Sequence, residues 1–574
     1  MDFLYNNQAT IYFNEKALYL QIVLAIATVV LYVLRQRMIK KTAENQGDTH
    51  SGTISNKMFY VLLGIAAFIG VFVRVYHLGE APSGINYDEA MLTVDAKALG
   101  DYGTDHYGMV MPVWMQAWKR GQQSAFMAYF TAPWIKLFGL NVWSVRLPMV
   151  FLSVTGAVFA VLLIKEALGK KAAVLSAFMI ALAPWHIIQS RWTQDANSFS
   201  HLFIIGLYFL YKGLKKSKYL YIGCAVFGIS MYAYGLSAYI VPVFLLGIGI
   251  YALLTKTVKL KTVLICMAEY FVISLPAFLC LLINALELDT IKLGFITIPR
   301  FYETTRASDI LFFSDRPWEM LVSSFKAFHE TVIRQYSGNL SCTFGEFGFI
   351  YKFALPLVVL GIVFLFTKID KHFRWIVLFS LIACVFSALI TPVSAPWRAG
   401  LLFYLMILLS AMGLFFMSQM LKKIAWINIV TYTIGFSMFV AQLFTSYADI
   451  THIGFFGGFG AALEYMETFE VDKYYVTSES QFKTSSDVSE ILTLWYHEID
   501  AEYYQGLTNE MDGVSYLPYN GRYIYSNIAP EDILPEENAA YLVTHDEKQF
   551  FDKNLYNFMD FRGWQVNYCV VTKK

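Results

Sequence analysis

Charge is scarce in this sequence. Lys, Arg, Asp and Glu make up 15% of its 574 residues against 57% hydrophobic side chains, a balance that excludes an ordinary soluble domain and calls for a bilayer. Cysteine is scarcer still: the six cysteines are scattered singly, with no CxxC pair, so neither a structural zinc site nor a disulfide framework is legible. Cys224, Cys266, Cys280 and Cys384 fall inside apolar runs, which leaves Cys342 and Cys569 as the two expected to face water. A glycine-rich phosphate loop, a dinucleotide-binding fingerprint in the membrane part and a basic patch suited to nucleic acid are all missing. Nucleic acid is thereby excluded as a partner, and a nucleotide-sugar donor is disfavoured. There is no internal repeat and no low-complexity tract; residues 41–57 read as a polar cytoplasmic linker.

Long apolar runs are what the sequence does have. Stretches able to cross about 30 Å of hydrocarbon as helices lie near 17–36, 57–77, 143–165, 172–189, 197–213, 218–233, 236–254, 262–284, 350–367, 374–391, 400–420 and 424–446. They predict about twelve transmembrane helices. The first run has a nearly neutral leading flank and is followed by Arg35, Arg37, Lys40 and Lys41, the pattern of an anchor that starts outside rather than of a cleaved signal peptide. Lysine and arginine then gather in alternate short connections: Lys165, Lys170 and Lys171; Lys212, Lys215, Lys216 and Lys218; Lys256, Lys259 and Lys261; Lys368, Lys371 and Arg374; Lys422 and Lys423. The positive-inside rule makes these cytoplasmic. The long connections 78–142 and 286–349 and everything from 447 onward then fall outside.

The net charge of +1 conceals an asymmetry, because the segment from Ser446 to the end carries 21 acidic and 8 basic residues. In that tail, strand-like runs at 473–477, 540–544 and 565–571 alternate with a helical-looking 485–495, the pattern of a small α/β domain. The expected division is a 1–56 anchor helix and linker, a 57–446 transmembrane domain and a 447–574 extracytoplasmic domain. Within loop 78–142, the stretches 87–99 and 125–138 are amphipathic and aromatic-rich and are expected to lie along the membrane interface.

The chemistry-bearing candidates collect at the outer rim of the spans. In Gly84-Ile85-Asn86-Tyr87-Asp88-Glu89-Ala90 two adjacent carboxylates follow the second span. A carboxylate there could accept the proton of a hydroxyl nucleophile during sugar transfer. Asn86 and Glu89 also have capping-box spacing, so Glu89 could instead satisfy the first amides of a helix. Ser190-Arg191-Trp192-Thr193-Gln194-Asp195 opens another outer turn, where Asp195 could cap the following span and Arg191 pair with it four residues away. Arg398, in Ser394-Ala395-Pro396-Trp397-Arg398, is either a membrane-edge anchor or a fork for a phosphate. His106, beside Asp105, is a weak candidate for a divalent metal, since the spacing of a metal motif is missing; His201 is weaker again. No cofactor is otherwise indicated.

These residues carry a resemblance. The Asp88-Glu89 pair in the first outer loop, the Trp-rich stretch after it and Leu137-Phe138-Gly139 before Ser144-Val145-Arg146-Leu147-Pro148 resemble the bacterial relatives of protein O-mannosyltransferases and the lipid A aminoarabinose transferases. Both are families of the glycosyltransferase C superfamily, and the similarity runs over about 57–420. It implies an inverting transfer of a sugar from a polyprenyl-phosphate donor to an extracytoplasmic acceptor, with Asp88 as base, Asp195 in the site, and Arg191 and Arg398 at the donor phosphate. It also implies a bacterial plasma membrane location. Asp105-His106-Tyr107-Gly108 and Pro112 stand where the mannosyltransferases have a His-Pro-Pro run, which leaves the acceptor (protein, wall polymer or lipid) open. A transporter or flippase for a lipid-linked glycan is the alternative of another class. It would work through mid-span charges, of which Glu269 is the chief one. A glycan polymerase or ligase would share the carrier but not the Asp-Glu loop.

Overall fold

The computed structural model describes residues 6–41, 54–118, 121–301, 310–339, 341–367, 369–392, 395–423, 425–451, 454–478, 487–505, 510–511, 514–515, 522–562 and 566–574. The linker 42–53, Lys368, Ser394 and the start of the helix expected at 485 lie outside them.

Helices dominate up to residue 451: α1 (Asn7–Lys41), α2 (Asn56–Val75), α3 (Tyr87–Tyr102), α4 (Phe126–Phe138), α5 (Val142–Leu168), α6 (Lys170–Leu182), α7 (Pro184–Ile188), α8 (Asp195–Lys215), α9 (Lys218–Ser230), α10 (Ser237–Leu254), α11 (Leu260–Ala285), α12 (Pro317–Phe328), α13 (Leu355–Leu365), α14 (Lys371–Ile390), α15 (Gly400–Met420) and α16 (Ala425–Gln442). Among the described residues nine helical segments are long and apolar enough to cross a membrane, so this is a multi-pass membrane protein. The nine include α1, α2, α5, α10, α11, α14 and the segments around α13, α15 and α16. The sequence reading of twelve exceeds this by the runs near 172–189, 197–213 and 218–233. The physical reasons are plain. Pro184 breaks the first into α6 and α7; α8 carries Asn197, Ser198, Ser200 and His201 in its buried first turns; α9 has only 13 residues. At 1.5 Å per residue α9 spans about 20 Å.

α15 is the hub of the bundle, with its whole hydrophobic window buried. It packs on α13, where Gly361 and Gly413 let backbones meet: a Cβ built on either would stand 2.1 Å or 2.0 Å from a carbonyl oxygen of the other helix.

Within loop 78–142, α3 is covered by protein on two sides. This helix begins with the capping residue Asn86, as the spacing foretells. Ten of its residues, from Glu89 to Leu99, are buried, because α4 covers one side and the tail covers another. α4 does keep an apolar end in the open, with Leu137 and Phe138 exposed.

After residue 451 come α17 (Phe459–Met466), β1 (Lys473–Thr477), α18 (Asp487–Tyr496), β2 (Tyr523–Ser526), β3 (Ala539–Thr544), β4 (Tyr556–Arg562) and β5 (Val566–Lys573). The sheet order is β4-β5-β3-β1-β2. The pairs β1/β2 and β1/β3 are parallel and the other two antiparallel, in register Tyr474 with Tyr523, Tyr474 with Ala540 and Val570 with Leu542. At the carboxyl ends of the three parallel strands, where open sheets of this kind usually receive a ligand, the buried Glu547 carboxylate sits instead. It accepts from the Thr477 and Thr544 hydroxyls and from the amides of Ile528 and Thr544. Burial pushes its pKa above the usual carboxylate range even so. Cys342 and Cys569, expected to face water, are both buried. All six cysteines are free thiols, Cys569 being held within the sheet on β5.

Candidate active site

Two arginines build the floor of the site. The chain leaves α2 in a turn whose carbonyls have no helical partners, and they are satisfied from across the fold. Arg191, fully buried, donates from Nε to Ala81 O (2.7 Å), from Nη1 to Val73 O (2.6 Å) and from Nη2 to Tyr76 O and His77 O (2.8 Å each), with its plane over Phe444. Arg146, equally buried on α5, reaches Leu78 O and Pro82 O (2.8 Å each) and Gly84 O (2.7 Å). Its remaining N–H groups form a fork on Glu89, Nε to Oε1 at 3.0 Å and Nη2 to Oε2 at 3.1 Å. All five donors of Arg146 are thereby used.

Glu89 is as fully engaged as its partner. Besides Arg146 it accepts the Thr193 amide on Oε1 (2.8 Å) and the Asn86 amide on Oε2 (3.4 Å), and its side chain is 0% exposed. This one carboxylate ties together the start of α3, the amino-terminal end of α5 and the turn that precedes α8. The consequence falls on its neighbours: Asp88 is one residue from Glu89, and Asp195 is two residues from Thr193.

A short strap links the backbone of Asp88 to the carboxylate of Asp195. The small hairpin of Met115–Gln116 with Gln122–Gln123 brings Gln123 and Ser124 between them. Gln123 Nε2 donates to the Asp88 carbonyl (3.3 Å), and the Ser124 amide donates to Asp195 Oδ2 (3.2 Å). Both aspartates are partly buried, in contrast to Glu89. The Asp88 amide is capped by Asn86 Oδ1 (2.9 Å), and Asp195 Oδ1 takes the Ala196 amide (2.6 Å) at the first turn of α8. Arg398 stands in a 3-10 turn, Pro396–Ala399, that packs against α8. It is partly buried and donates from Nη1 to Pro392 O (3.2 Å).

His106 is elsewhere in the loop. Its Nδ1 pairs at 2.6 Å with Asp95 Oδ1, which also accepts the His106 amide (2.9 Å), and Asp105 lies alongside. The pKa of Asp105 is raised to about 6, first by burial and then by the neighbouring Asp95 charge. Burial works against the His106 cation, but Asp95 and Asp105 outweigh it and hold its pKa above the usual value. Among the described residues no three of His, Cys, Asp and Glu converge in a geometry able to hold a metal ion. His201 belongs to another buried group, with Gln189 at 3.0 Å and the rings of His186 and Tyr404 beside it; Arg74 bonds His186 Nδ1 at 2.9 Å. Glu269 lies on α11, which packs chiefly on α9.

Sequence reasoning found the carboxylates but missed what assembles them. Arg146 entered only as part of a resembling string, and Gln123, Ser124 and Thr193 carried no signal. An arginine near the end of an apolar run is the one clue that a buried carboxylate awaits it.

The family of dolichyl-phosphate-mannose-protein mannosyltransferases matches residues 122–283, a stretch that holds Gln123 and Ser124 of the strap, Arg146, Arg191 and Asp195 but not Asp88. YkcB of Bacillus subtilis (strain 168), a mannosyltransferase candidate, is 32% identical over 130 residues, which is 22% of this chain and 18% of that relative's length. Over nearly the whole chain the fold is similar to that of ArnT from Cupriavidus metallidurans. The apo structure gives a TM-score of 0.50 at 13% identity, covering 90% of this chain and 97% of that one; the structure bound to undecaprenyl phosphate gives 0.51 at 13%, covering 90% and 98%. Residues 122–283 thus match that mannosyltransferase family, and the chain over nearly its whole length shares the fold of the ArnT structures.

Proposed function

We propose that the chain is an inverting membrane glycosyltransferase that moves a sugar from a polyprenyl-phosphate carrier to an acceptor hydroxyl on the outer face of the membrane. The observation that carries this reading is the division of labour among the carboxylates. Asp88 and Asp195 flank one strap and stay partly accessible, while Glu89 is consumed by Arg146 in holding them there. The description of the matching family and the undecaprenyl phosphate in the ArnT neighbour support the donor class.

In this reading the acceptor hydroxyl gives its proton to Asp88, its oxygen attacks the anomeric carbon, and the bond from that carbon to the phosphate oxygen breaks. The electron pair leaves with the polyprenyl phosphate, and the anomeric centre inverts. Asp195 orients the acceptor or sugar from the other side of the strap. Arg398 steadies the departing phosphate, whereas Arg191, whose donors are spent on carbonyls, braces the loop instead. Glu89 likewise positions rather than reacts.

The topology proposed with it has twelve crossings, the nine plus α6 with α7, α8 and α9. Loops 78–142 and 286–349 and the 447–574 domain then lie outside a bacterial plasma membrane. Hydrogen bonds between the tail and α3 keep these two regions on one face.

Mass spectrometry of envelope glycans tests the reading. A deletion strain and a strain carrying Asp88→Asn should lose the same saccharide, and Glu269→Gln should keep it. Loss in Glu269→Gln with retention in Asp88→Asn would point to transport and overturn the proposal.

A further inference from the structure

The helix that presents Asp88 is held from behind by the tail. Trp495, on α18 and 4% exposed, donates its indole N–H to Thr93 Oγ1 at 3.0 Å. Thr93, fully buried, donates its own hydroxyl to the carbonyl of Glu89 at 2.6 Å. Two hydrogen bonds therefore connect a tryptophan of the tail to the residue next to Asp88. A buried indole N–H needs a partner, and a buried hydroxyl that both accepts and donates is fixed in rotamer by the two bonds together.

Other contacts point to the same helix. Asn86, the cap of α3, donates from Nδ2 to Gly454 O at 2.8 Å. Gly84, in a left-handed conformation at φ 88°, lies so close to the tail that a Cβ there would stand 2.2 Å from Phe455 O. Trp118 Nε1 donates to Glu490 Oε2 (3.3 Å), which precedes Trp495 on α18, and Tyr102 at the far end of α3 donates to Asp500 (2.9 Å). The first turn of α3 is thus seated between Arg146 on the membrane side and the tail on the other.

We infer that Trp495 is a positioning residue for the Asp88 carboxylate, acting through Thr93, so that the tail domain is a structural wall of the active site and not an appended module. This deepens the proposed transferase reading and, for its kinetic part, rests on it. Hydrogen bonds of this kind contribute modestly, so their loss should let the first turn of α3 fluctuate without unfolding the chain.

The test uses the full chain in lipid nanodiscs, with a polyprenyl-phosphate-linked sugar as donor and polyprenyl phosphate alone as binding probe. Trp495→Phe keeps the ring and removes only the N–H. It should lower kcat by about threefold to tenfold, with polyprenyl phosphate affinity unchanged. Thr93→Val should match that loss and Thr93→Ser, which keeps the hydroxyl, should restore it. The Trp495→Phe/Thr93→Val double variant should be no worse than either single one. Amide hydrogen exchange gives a readout independent of activity: the first turn of α3 should exchange faster in Trp495→Phe while the β1–β3 sheet stays protected. Unchanged exchange in that turn, or faster exchange with unchanged kcat, would overturn the inference. Should the wild-type chain transfer no sugar, the reaction proposed above fails, and the exchange measurement still decides whether the tail holds α3.

Discussion

Asp88 and Glu89 are neighbours in sequence and opposites in environment. Glu89 is sealed among an arginine fork and two amides, every lone pair directed at a protein donor; Asp88, one position earlier in the same helical turn, meets the strap through its backbone carbonyl and stays partly accessible. The arginines differ in burial too. Arg191 is fully buried with its donors on four carbonyls, while Arg398 is partly buried in a short turn beside α8. A paired acidic motif thus contains one carboxylate locked in place and one residue that stays partly accessible, and burial rather than sequence position separates them.

The largest effect should come from breaking the builder. Arg146→Met leaves Glu89 buried without its cation and strips three turn carbonyls of their donor, a change expected to cost about 3–5 kcal/mol. Thermal unfolding of the purified variant checks it. A melting temperature close to wild type would mean that the fork is dispensable and that Glu89 could be free for chemistry.

Arg398 should separate from Arg191 by the kind of damage. Arg398→Ala is expected to impair use of the lipid-linked donor about tenfold or more with little loss of stability, and Arg398→Lys to recover little, since a point charge replaces a planar fork. Arg191→Lys should do the reverse, lowering melting temperature. Steady-state kinetics and a melting curve on both variants decide, and full activity in Arg398→Ala would leave that residue as a membrane-edge anchor.

The smallest effect is a pH slope at the Asp95, His106 and Asp105 group. Asp105 has its folded pKa raised to about 6, so the folded state binds its proton more tightly than the unfolded state, and its contribution to stability is lost as pH rises from the ordinary carboxylate range of about 3.9 towards 6. His106 is raised as well, so its contribution is complete below about 6.5 and disappears as pH climbs above that. Asp105→Asn should flatten the lower part of the slope; an unchanged stability profile between pH 4 and 7 would contradict the assignment.

Much of this was open to reading in the sequence. Spans with uninterrupted apolar runs are legible because a bilayer demands about 20 such residues in a row. α6, α7 and α8 were harder, since Pro184 and the buried polar first turns of α8 are tolerated only because neighbouring helices cover them. The Asp88-Glu89 pair was legible as a motif, and Asn86 as its cap. What holds Glu89 was not, because it depends on Arg146, 57 residues from Glu89 along the chain. The seating of α3 under Trp495, across 402 residues, has no local signature at all. α3 reads as interfacial for the same reason: its aromatic and apolar residues meet the tail and α4, which periodicity alone cannot tell from lipid.

The most direct test of the central claim is the rate of sugar transfer by Asp88→Asn, measured beside its melting temperature and its affinity for polyprenyl phosphate in one purified preparation. Asparagine keeps the shape of Asp88 and removes the proton acceptor. The account predicts a fall in transfer of about a hundredfold or more, with melting temperature and carrier binding unchanged; near-normal transfer by Asp88→Asn would contradict it.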